Sequence, residues 1–162
     1  MDFQELFKVY GMYAGNIHDV LPPTIAGAVL TVTAIIAGII VGLERELRGK
    51  PAGMRTVALI CLGSAIFTIV SVLLAGDGTA DRSRVAAQVV SGIGFLGAGS
   101  IIRDRGRVSG LTTAATIWVV AAIGVVIGTG YAVSGLALSI VVTILLRGLE
   151  LFEAESRSSE DS

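Results

Sequence analysis

The placement of the charged residues constrains this chain more than any other feature of its sequence. All 12 basic and 13 acidic residues lie outside four stretches, residues 24–43, 56–76, 85–102 and 108–146. A bilayer span needs about 20 mostly apolar residues, so each stretch is long enough to cross a membrane. Since only 15% of the residues are charged, a soluble fold would lack the polar surface to cover these stretches. The pattern therefore predicts an all-α integral membrane protein.

Five membrane-spanning helices are expected, because the longest uncharged stretch must fold back on itself. As one helix it would be about 58 Å long, roughly twice the thickness of the hydrocarbon core. The paired glycines of Gly128-Thr129-Gly130 favour a turn at that point. Short loops join the helices, so we expect a small antiparallel bundle. Its spans cover about residues 24–43, 56–76, 85–102, 112–127 and 131–146.

The two ends of the chain differ from this transmembrane domain, which covers residues 22–148. Residues 1–21 carry aromatic and aliphatic side chains at helical spacing, which predicts a short helix at the membrane interface; a loosely ordered terminus is the alternative. They lack the basic start and apolar core of a cleavable signal peptide, so the first span is expected to direct insertion. Residues 149–162 are acidic and rich in serine, which predicts a disordered tail.

The basic residues predict the orientation of the bundle, since lysine and arginine are retained on the cytoplasmic side of a membrane. With five spans, three basic residues fall on one side, namely Lys8, Arg82 and Arg84. Nine fall on the other side, namely Arg45, Arg48, Lys50, Arg55, Arg103, Arg105, Arg107, Arg147 and Arg157. This asymmetry predicts an external N-terminus and a cytoplasmic C-terminus.

The composition also excludes several classes of function. The single cysteine, Cys61, excludes a disulfide framework, and a net charge of −1 without a basic face argues against nucleic-acid binding. The single histidine, His18, lies outside the apolar stretches, and no nucleophile–base pair or cofactor motif stands in its proper context. We therefore expect neither enzymatic activity nor a bound cofactor.

The third span is the most unusual in composition, with Gly92, Gly94, Gly97 and Gly99 within eight residues. Two structures are compatible with this run: a helix that packs tightly on its neighbours, or a broken helix whose free carbonyls line a polar cavity. A nucleotide site is not expected, because the glycines lack a preceding strand and a following lysine. Gln88, near the outer end of the span, is interpreted either as an interhelical hydrogen-bonding group or as a pore-lining one.

Two GxxxG motifs predict close approach between helices. Gly38 and Gly42 form the first, and Gly124 and Gly128 form the second. Intrachain packing is the expected role, and a homodimer contact is the alternative. Trp118 lies too deep in the fourth span for the interfacial aromatic belt, so we expect its ring to be buried against the glycine-rich third span.

The charges nearest the membrane lie at the ends of the spans, and none lies deep inside one, which argues against a proton-coupled carrier. Glu44 and Glu46 are close enough in sequence to hold a hydrated Mg²⁺, which accepts one or two carboxylates. The preferred interpretation is a salt-bridged helix end, because neighbouring arginines can neutralise both acids. Asp81 and Arg84 open the third span, where Asp81 is placed to cap the helix.

Four blocks of this sequence resemble the MgtC/SapB family of bacterial membrane proteins. They are residues 42–46, 50–56, 84–99 and 110–118, and the similarity extends over about residues 24–146. The positions that match the family motifs are Glu44, Arg45, Gly53, Arg55, Asp81, Arg84, Gln88, Gly92, Gly94, Gly97, Gly99, Thr113 and Trp118.

The resemblance implies a multi-pass protein of the bacterial inner membrane with a non-enzymatic, accessory or regulatory role. That role would lie in magnesium homeostasis or in adaptation to low magnesium and envelope stress, in a family associated with virulence. It implies contact with another membrane protein, in the context of ATP synthase or a magnesium-transporting P-type ATPase. A magnesium or cation transporter or channel subunit is the alternative function. On this resemblance we expect a short form, without the cytoplasmic domain of longer members.

Overall fold

The computed structural model describes residues 16–17, 21–75 and 83–160, with the backbone alone for Ala75, Ser83 and residues 149–160. Over these ranges the chain is mostly helical, as the predicted all-α class requires. The five helices are α1 (Pro23–Leu47), α2 (Met54–Ala75), α3 (Ser83–Gly99), α4 (Leu111–Gly128) and α5 (Ala132–Glu160). A two-stranded hairpin, β1 (Ile102–Asp104) and β2 (Arg107–Ser109), joins α3 to α4.

Three helices in the described part of the chain are long and apolar enough to cross a membrane. They are α1, α2 over Met54–Leu74, and α4. The apolar part of α5, Ala132–Gly148, is shorter, and α3 has 17 residues with several glycines and a glutamine. Length and composition therefore support α1, α2 and α4 as membrane spans, whereas α3 and the apolar part of α5 are shorter than this criterion requires.

The first helix runs four residues beyond its expected end at Leu43. The added residues, Glu44 to Leu47, are strong helix formers, so the helix continues past the apolar stretch. It stops where Gly49 adopts a left-handed conformation with φ of 63°, a backbone geometry that glycine reaches at little cost.

The centre of the bundle is formed by α1, α2 and α4. Helix α1 packs most extensively against α2, and α2 in turn packs against α4. Helix α5 covers α1 and α4, whereas α3 packs mainly on α4 and makes few contacts with α2. The largest apolar side chains of the centre are fully buried: Leu30 and Val41 of α1, Val57 of α2, and Val120 and Ile127 of α4.

The first GxxxG motif sets the contact between α1 and α2. A Cβ atom on Gly38 would lie 2.6 Å from the Cα of Ala58, and one on Gly42 would lie 2.6 Å from the Cα of Met54. Both distances are shorter than any real Cβ contact, so only glycine fits at these positions. Because the partner residues descend in number as the glycines ascend, the two helices are antiparallel.

The second GxxxG motif holds α4 against the same face of α2, in the turns that follow those contacted by α1. A Cβ on Gly124 would overlap the carbonyl of Cys61, and one on Gly128 would lie 2.6 Å from the Cβ of Thr68. Here the partner numbers ascend together, so α2 and α4 run parallel. The expected intrachain role of both motifs is confirmed, and neither is left exposed for a dimer contact.

The hairpin corrects the expected course of the third span, which was predicted to stay helical to Ile102. Helix α3 ends at Gly99, and Arg105 and Gly106 then adopt φ values of 43° and 86°. Positive φ at both positions of a two-residue loop suits the twist of a β-hairpin. In the resulting register Arg103 faces Val108 and Asp104 faces Arg107.

The two ends of the chain also bear on earlier expectations. Helix α5 continues to Glu160, where a disordered tail over residues 149–162 was expected. Glutamate, leucine, alanine and arginine make up most of this segment, and their helix propensity prolongs the helix beyond the apolar part. The expected interfacial helix over residues 1–21 lies almost entirely outside the described residues. Ile17, one of the described residues of this segment, donates a hydrogen bond from its backbone amide to the Gly130 carbonyl at 3.1 Å.

Candidate functional site

A groove with a volume of about 1,020 Å³ runs between α2 and α3. It exists because α3 packs on α4 and leaves most of its length apart from α2. The floor consists of buried side chains, Ile60 and Ser64 of α2 and Thr113 and Ile117 of α4. Large exposed apolar side chains form its two edges, namely Leu59, Phe67, Phe95 and Leu96.

The glycines of α3 do not pack tightly, which corrects one of the two expected structures. A Cβ on Gly92, Gly94 or Gly99 would meet no atom within 4 Å. Gly97 is the one of the four with a neighbour, the carbonyl of Ala114, at an ordinary contact distance of 3.7 Å. The helix touches α4 along the line of Ile93 and Gly97, and its other faces are open. A leucine at position 92 therefore has room, contrary to the close contact expected there.

The second expected structure, a broken helix, is not observed either. Helix α3 is continuous from Ser83 to Gly99, so its backbone carbonyls are engaged within the helix until the last turn. Gly92 and Gly99 line the groove, whereas Gly94 does not. Glycine there widens the groove, because it contributes no side chain to the α3 wall.

Two of the remaining predicted residues also lie along the groove. Gln88 is exposed on the α3 wall, which places its amide in the groove and not in a helix–helix interface. Thr113 is buried in the floor. Trp118 was expected to be buried against α3, and this is wrong, since its side chain is 50% exposed. The next residue back, Ile117, faces the groove, and one step along a helix turns a side chain by about 100°.

The most deeply buried charges lie at the end of α1. Glu44 and Arg45 are each 1% exposed, and the Arg45 Nη1 lies 3.8 Å from the Glu44 Oε2. Arg48 Nε lies 4.0 Å from the other carboxylate oxygen of Glu44. Both oxygens of Glu44, and the Nε and Nη2 atoms of Arg45, lack a hydrogen-bond partner. Glu44 and Arg45 therefore form a long ion pair, which agrees with the expected salt-bridged helix end.

Glu46 has a different role from Glu44. Its Oε2 accepts a hydrogen bond of 2.9 Å from the backbone amide of Met54, so it caps the first turn of α2. Gly53 leaves room for this contact, because a Cβ there would lie 3.1 Å from the same oxygen. The two acids thus bind separate partners, and the described residues contain no cluster of three or more metal-ligating side chains. The hypothesis of a Mg²⁺ held between Glu44 and Glu46 gains no support.

Eight of the thirteen predicted site residues fall into two groups in the structure. Gln88, Gly92, Gly99 and Thr113 line the groove, whereas Glu44, Arg45, Gly53 and Arg55 gather at the turn between α1 and α2. Arg84 is exposed at the start of α3, and Asp81 lies outside the described residues.

Residues of α2 that line the groove were not predicted from the sequence. Gly63 and Ser64 line the groove. The sequence feature that could have indicated them is a glycine next to a serine in an otherwise apolar span. That signal is also produced by ordinary helix packing, so it did not single out this pair.

The sequence is similar to a known family and to several of its individual members. The model of the MgtC family matches residues 31–155. The chain is similar to YhiD of Escherichia coli (strain K12), named as a candidate magnesium transporter, at 50% identity over 123 residues, which cover 72% of this chain and 57% of YhiD. It is similar to the protein MgtC of Salmonella typhimurium at 44% identity over 127 residues, 78% of this chain and 53% of that protein.

A cyanobacterial relative is covered more fully. The protein SrpB of Synechococcus elongatus is 43% identical over 129 residues, which cover 72% of this chain and 71% of SrpB. The chain thus spans just over half the length of the enterobacterial relatives and more of the cyanobacterial one. No solved structure matches it.

Proposed function

The chain belongs to the MgtC family, and on that premise we propose that it is a multi-pass protein of the bacterial inner membrane that acts in magnesium homeostasis. In this proposal it performs no enzymatic chemistry and acts as an accessory or regulatory protein through contacts with another membrane protein. The name of YhiD supports the link with magnesium. Three long apolar helices support the membrane location.

The groove is the observation that favours an accessory role over ion transport. Among the described residues no charged side chain lines it; its edges are apolar, and its floor combines Ile60 and Ile117 with the hydroxyls of Ser64 and Thr113. A hydrated Mg²⁺ needs oxygen ligands and gives up its waters reluctantly, so this surface suits an apolar occupant better than an ion. The charges of the described spans lie instead at helix ends, where they can contact other proteins or the membrane surface.

The proposed topology has five spans, an external N-terminus and a cytoplasmic C-terminus. The 17 residues of α3 and of the apolar part of α5 lie at the lower end of the range that spans a bilayer. The nine-to-three distribution of basic residues supports the orientation. A fluorescent protein fused after Leu151 should fluoresce in cells, and alkaline phosphatase inserted at Gly78 should be active outside. The opposite pattern would overturn the orientation.

The accessory role is tested by growth and by capture of the partner. Deleting the gene should slow growth in low-magnesium medium, and a plasmid copy should restore it. Crosslinking in cells followed by purification should capture a membrane protein, with ATP synthase and a magnesium-transporting P-type ATPase as the first candidates to probe. Normal growth of the deletion strain together with no captured protein would remove the proposal.

Cation transport is the second candidate, and Glu44 is the observation that favours it. Ionisable side chains buried near a membrane are commonly part of ion pathways, and both carboxylate oxygens of Glu44 lack hydrogen bonds. The test is Mg²⁺ uptake into liposomes that contain this protein alone. Uptake above that of empty liposomes, lost in Glu44→Gln, would establish transport, and uptake equal to that of empty liposomes would eliminate it.

A further inference from the structure

The dimensions of the groove match one half of a bilayer. Its α2 wall runs from Thr56 to Phe67, about 17 Å along the helix, and its α3 wall runs from Val85 to Gly99, about 21 Å. One leaflet occupies about half of the ~30 Å hydrocarbon core. The groove is therefore long enough to hold an extended acyl chain that enters from one membrane surface.

The shape of the groove suits an acyl chain. It is an open cleft of about 1,020 Å³ between apolar edges, and its α3 wall has no side chain at Gly92 or Gly99. A thin, flexible chain can lie along the length of this space.

Basic residues cluster at one end of the groove. Arg55 is exposed and lies one helical turn before Leu59, a residue of the α2 edge, so both share a face of α2. Ser100 is the last lining residue after α3, and the hairpin that follows it exposes Arg103, Arg105 and Arg107. At the opposite end, Arg84 is the one described basic residue. The charge therefore favours an anion at the hairpin end.

We propose that the groove between α2 and α3 binds one acyl chain of an anionic phospholipid, whose phosphate contacts Arg55 and the arginines of the hairpin. Arginine suits this position because its guanidinium binds phosphate through two parallel hydrogen bonds. The proposal rests on the membrane placement given under Proposed function, but not on the role in magnesium homeostasis. It assigns the exposed apolar edges of the groove to lipid.

Native mass spectrometry of the full chain, released from detergent, tests the lipid directly. Phosphatidylglycerol and phosphatidylcholine with identical acyl chains are titrated separately. We expect one phosphatidylglycerol per chain, bound about tenfold more tightly than phosphatidylcholine, which corresponds to about 1.4 kcal/mol. Equal affinity for the two lipids, or no saturable binding, would overturn the proposal.

Two pairs of variants locate the site. Gly92→Leu places a side chain inside the groove, and Gly94→Leu adds the same side chain to open space outside it. We expect Gly92→Leu to weaken phosphatidylglycerol binding about tenfold and Gly94→Leu to leave it unchanged. Arg55→Gln should weaken binding about fivefold, in line with roughly 1 kcal/mol for one basic residue near an anionic surface, and Arg84→Gln should not. Equal effects within either pair would contradict the assignment.

The occupant in cells is identified by a photoreactive phenylalanine analogue at position 95 on the groove edge. A lipid adduct on the purified chain, with its mass read by mass spectrometry, supports the proposal. A covalent dimer of this chain, or an adduct with a different protein, would show that a polypeptide covers the groove and would overturn it. Growth of the same strains in low magnesium tests the proposed function separately, so failure of one does not imply failure of the other.

Discussion

Replacing Gly38 by alanine tests whether the bundle is held by close contact between helix backbones. The added Cβ would lie 2.6 Å from the Cα of Ala58 and 3.1 Å from the Cβ of Cys61. An ordinary contact needs 3.4 to 4 Å, so α1 and α2 must separate by about 1 Å. Because both neighbours belong to a rigid helix and not to a flexible side chain, neither can simply move aside.

The expected loss of stability follows from two opposing effects. Overpacking a well-packed contact costs about 1–3 kcal/mol. Alanine is a better helix former than glycine by about 1 kcal/mol, which offsets part of that cost. We therefore expect Gly38→Ala to lower the free energy of unfolding by up to about 2 kcal/mol. The same change at Gly92, where nothing lies within 4 Å, should raise it by about 0.5–1 kcal/mol.

Unfolding in mixed micelles with a rising fraction of sodium dodecyl sulfate measures this difference. Trp118 is the single tryptophan of the chain and serves as the fluorescent probe, with circular dichroism as a second signal. Gly124→Ala is a further comparison, since its Cβ would overlap the Cys61 carbonyl, and it should also destabilise. If Gly38→Ala proves as stable as Gly92→Ala, the helices are not held by the glycine contacts and the packing argument is refuted.

Three further predictions concern the charged turn and the hairpin. Arg45→Met should destabilise by about 3–5 kcal/mol because it leaves the buried Glu44 carboxylate without its buried partner and with only the more exposed Arg48 beside it, and the double change with Glu44→Gln should recover much of that loss in the same unfolding assay. Glu46→Ala should cost about 0.5–2 kcal/mol and increase hydrogen exchange at the Met54 amide, which it leaves without its cap. Gly110→Ala should destabilise the α3–α4 connection, because φ is 87° there and a Cβ would overlap the Ser100 carbonyl; a protease digestion time course that matches wild type would contradict this.

The helices were predictable from the sequence because charged residues separate most of the apolar stretches, and the Gly128-Thr129-Gly130 turn divides α4 from α5. The GxxxG motifs were also readable, since glycines four residues apart lie on one helix face and their partners must be backbone or small side chains. The hairpin was not predicted, because Ile101 and Ile102 extend the uncharged stretch beyond the point where α3 stops.

The glycine-rich helix shows where such reasoning fails. Glycine is compatible with tight packing and with empty space, and sequence does not distinguish the two. Gly38 and Gly92 both stand among mostly apolar residues, yet one is packed against backbone and the other lines a groove. The difference depends on where α3 sits relative to α2, and this is set by contacts of α3 with α4. Glu44 and Glu46 illustrate the same limit, since spacing alone does not tell a buried pair from a helix cap.

The position of α2 between two GxxxG motifs has a consequence for biosynthesis. The first half of the packed face of α2, around Met54 and Ala58, is covered as soon as α1 and α2 have been inserted, because the Gly38 motif belongs to the preceding helix. The second half of that face, around Ser64 and Thr68, must wait for α4, which is finished about 50 residues later. At about 5–20 residues per second, that delay lasts several seconds. During this interval a narrow strip of α2 is open to lipid or to the insertion machinery, and helix α3, which scarcely touches α2, does not close it.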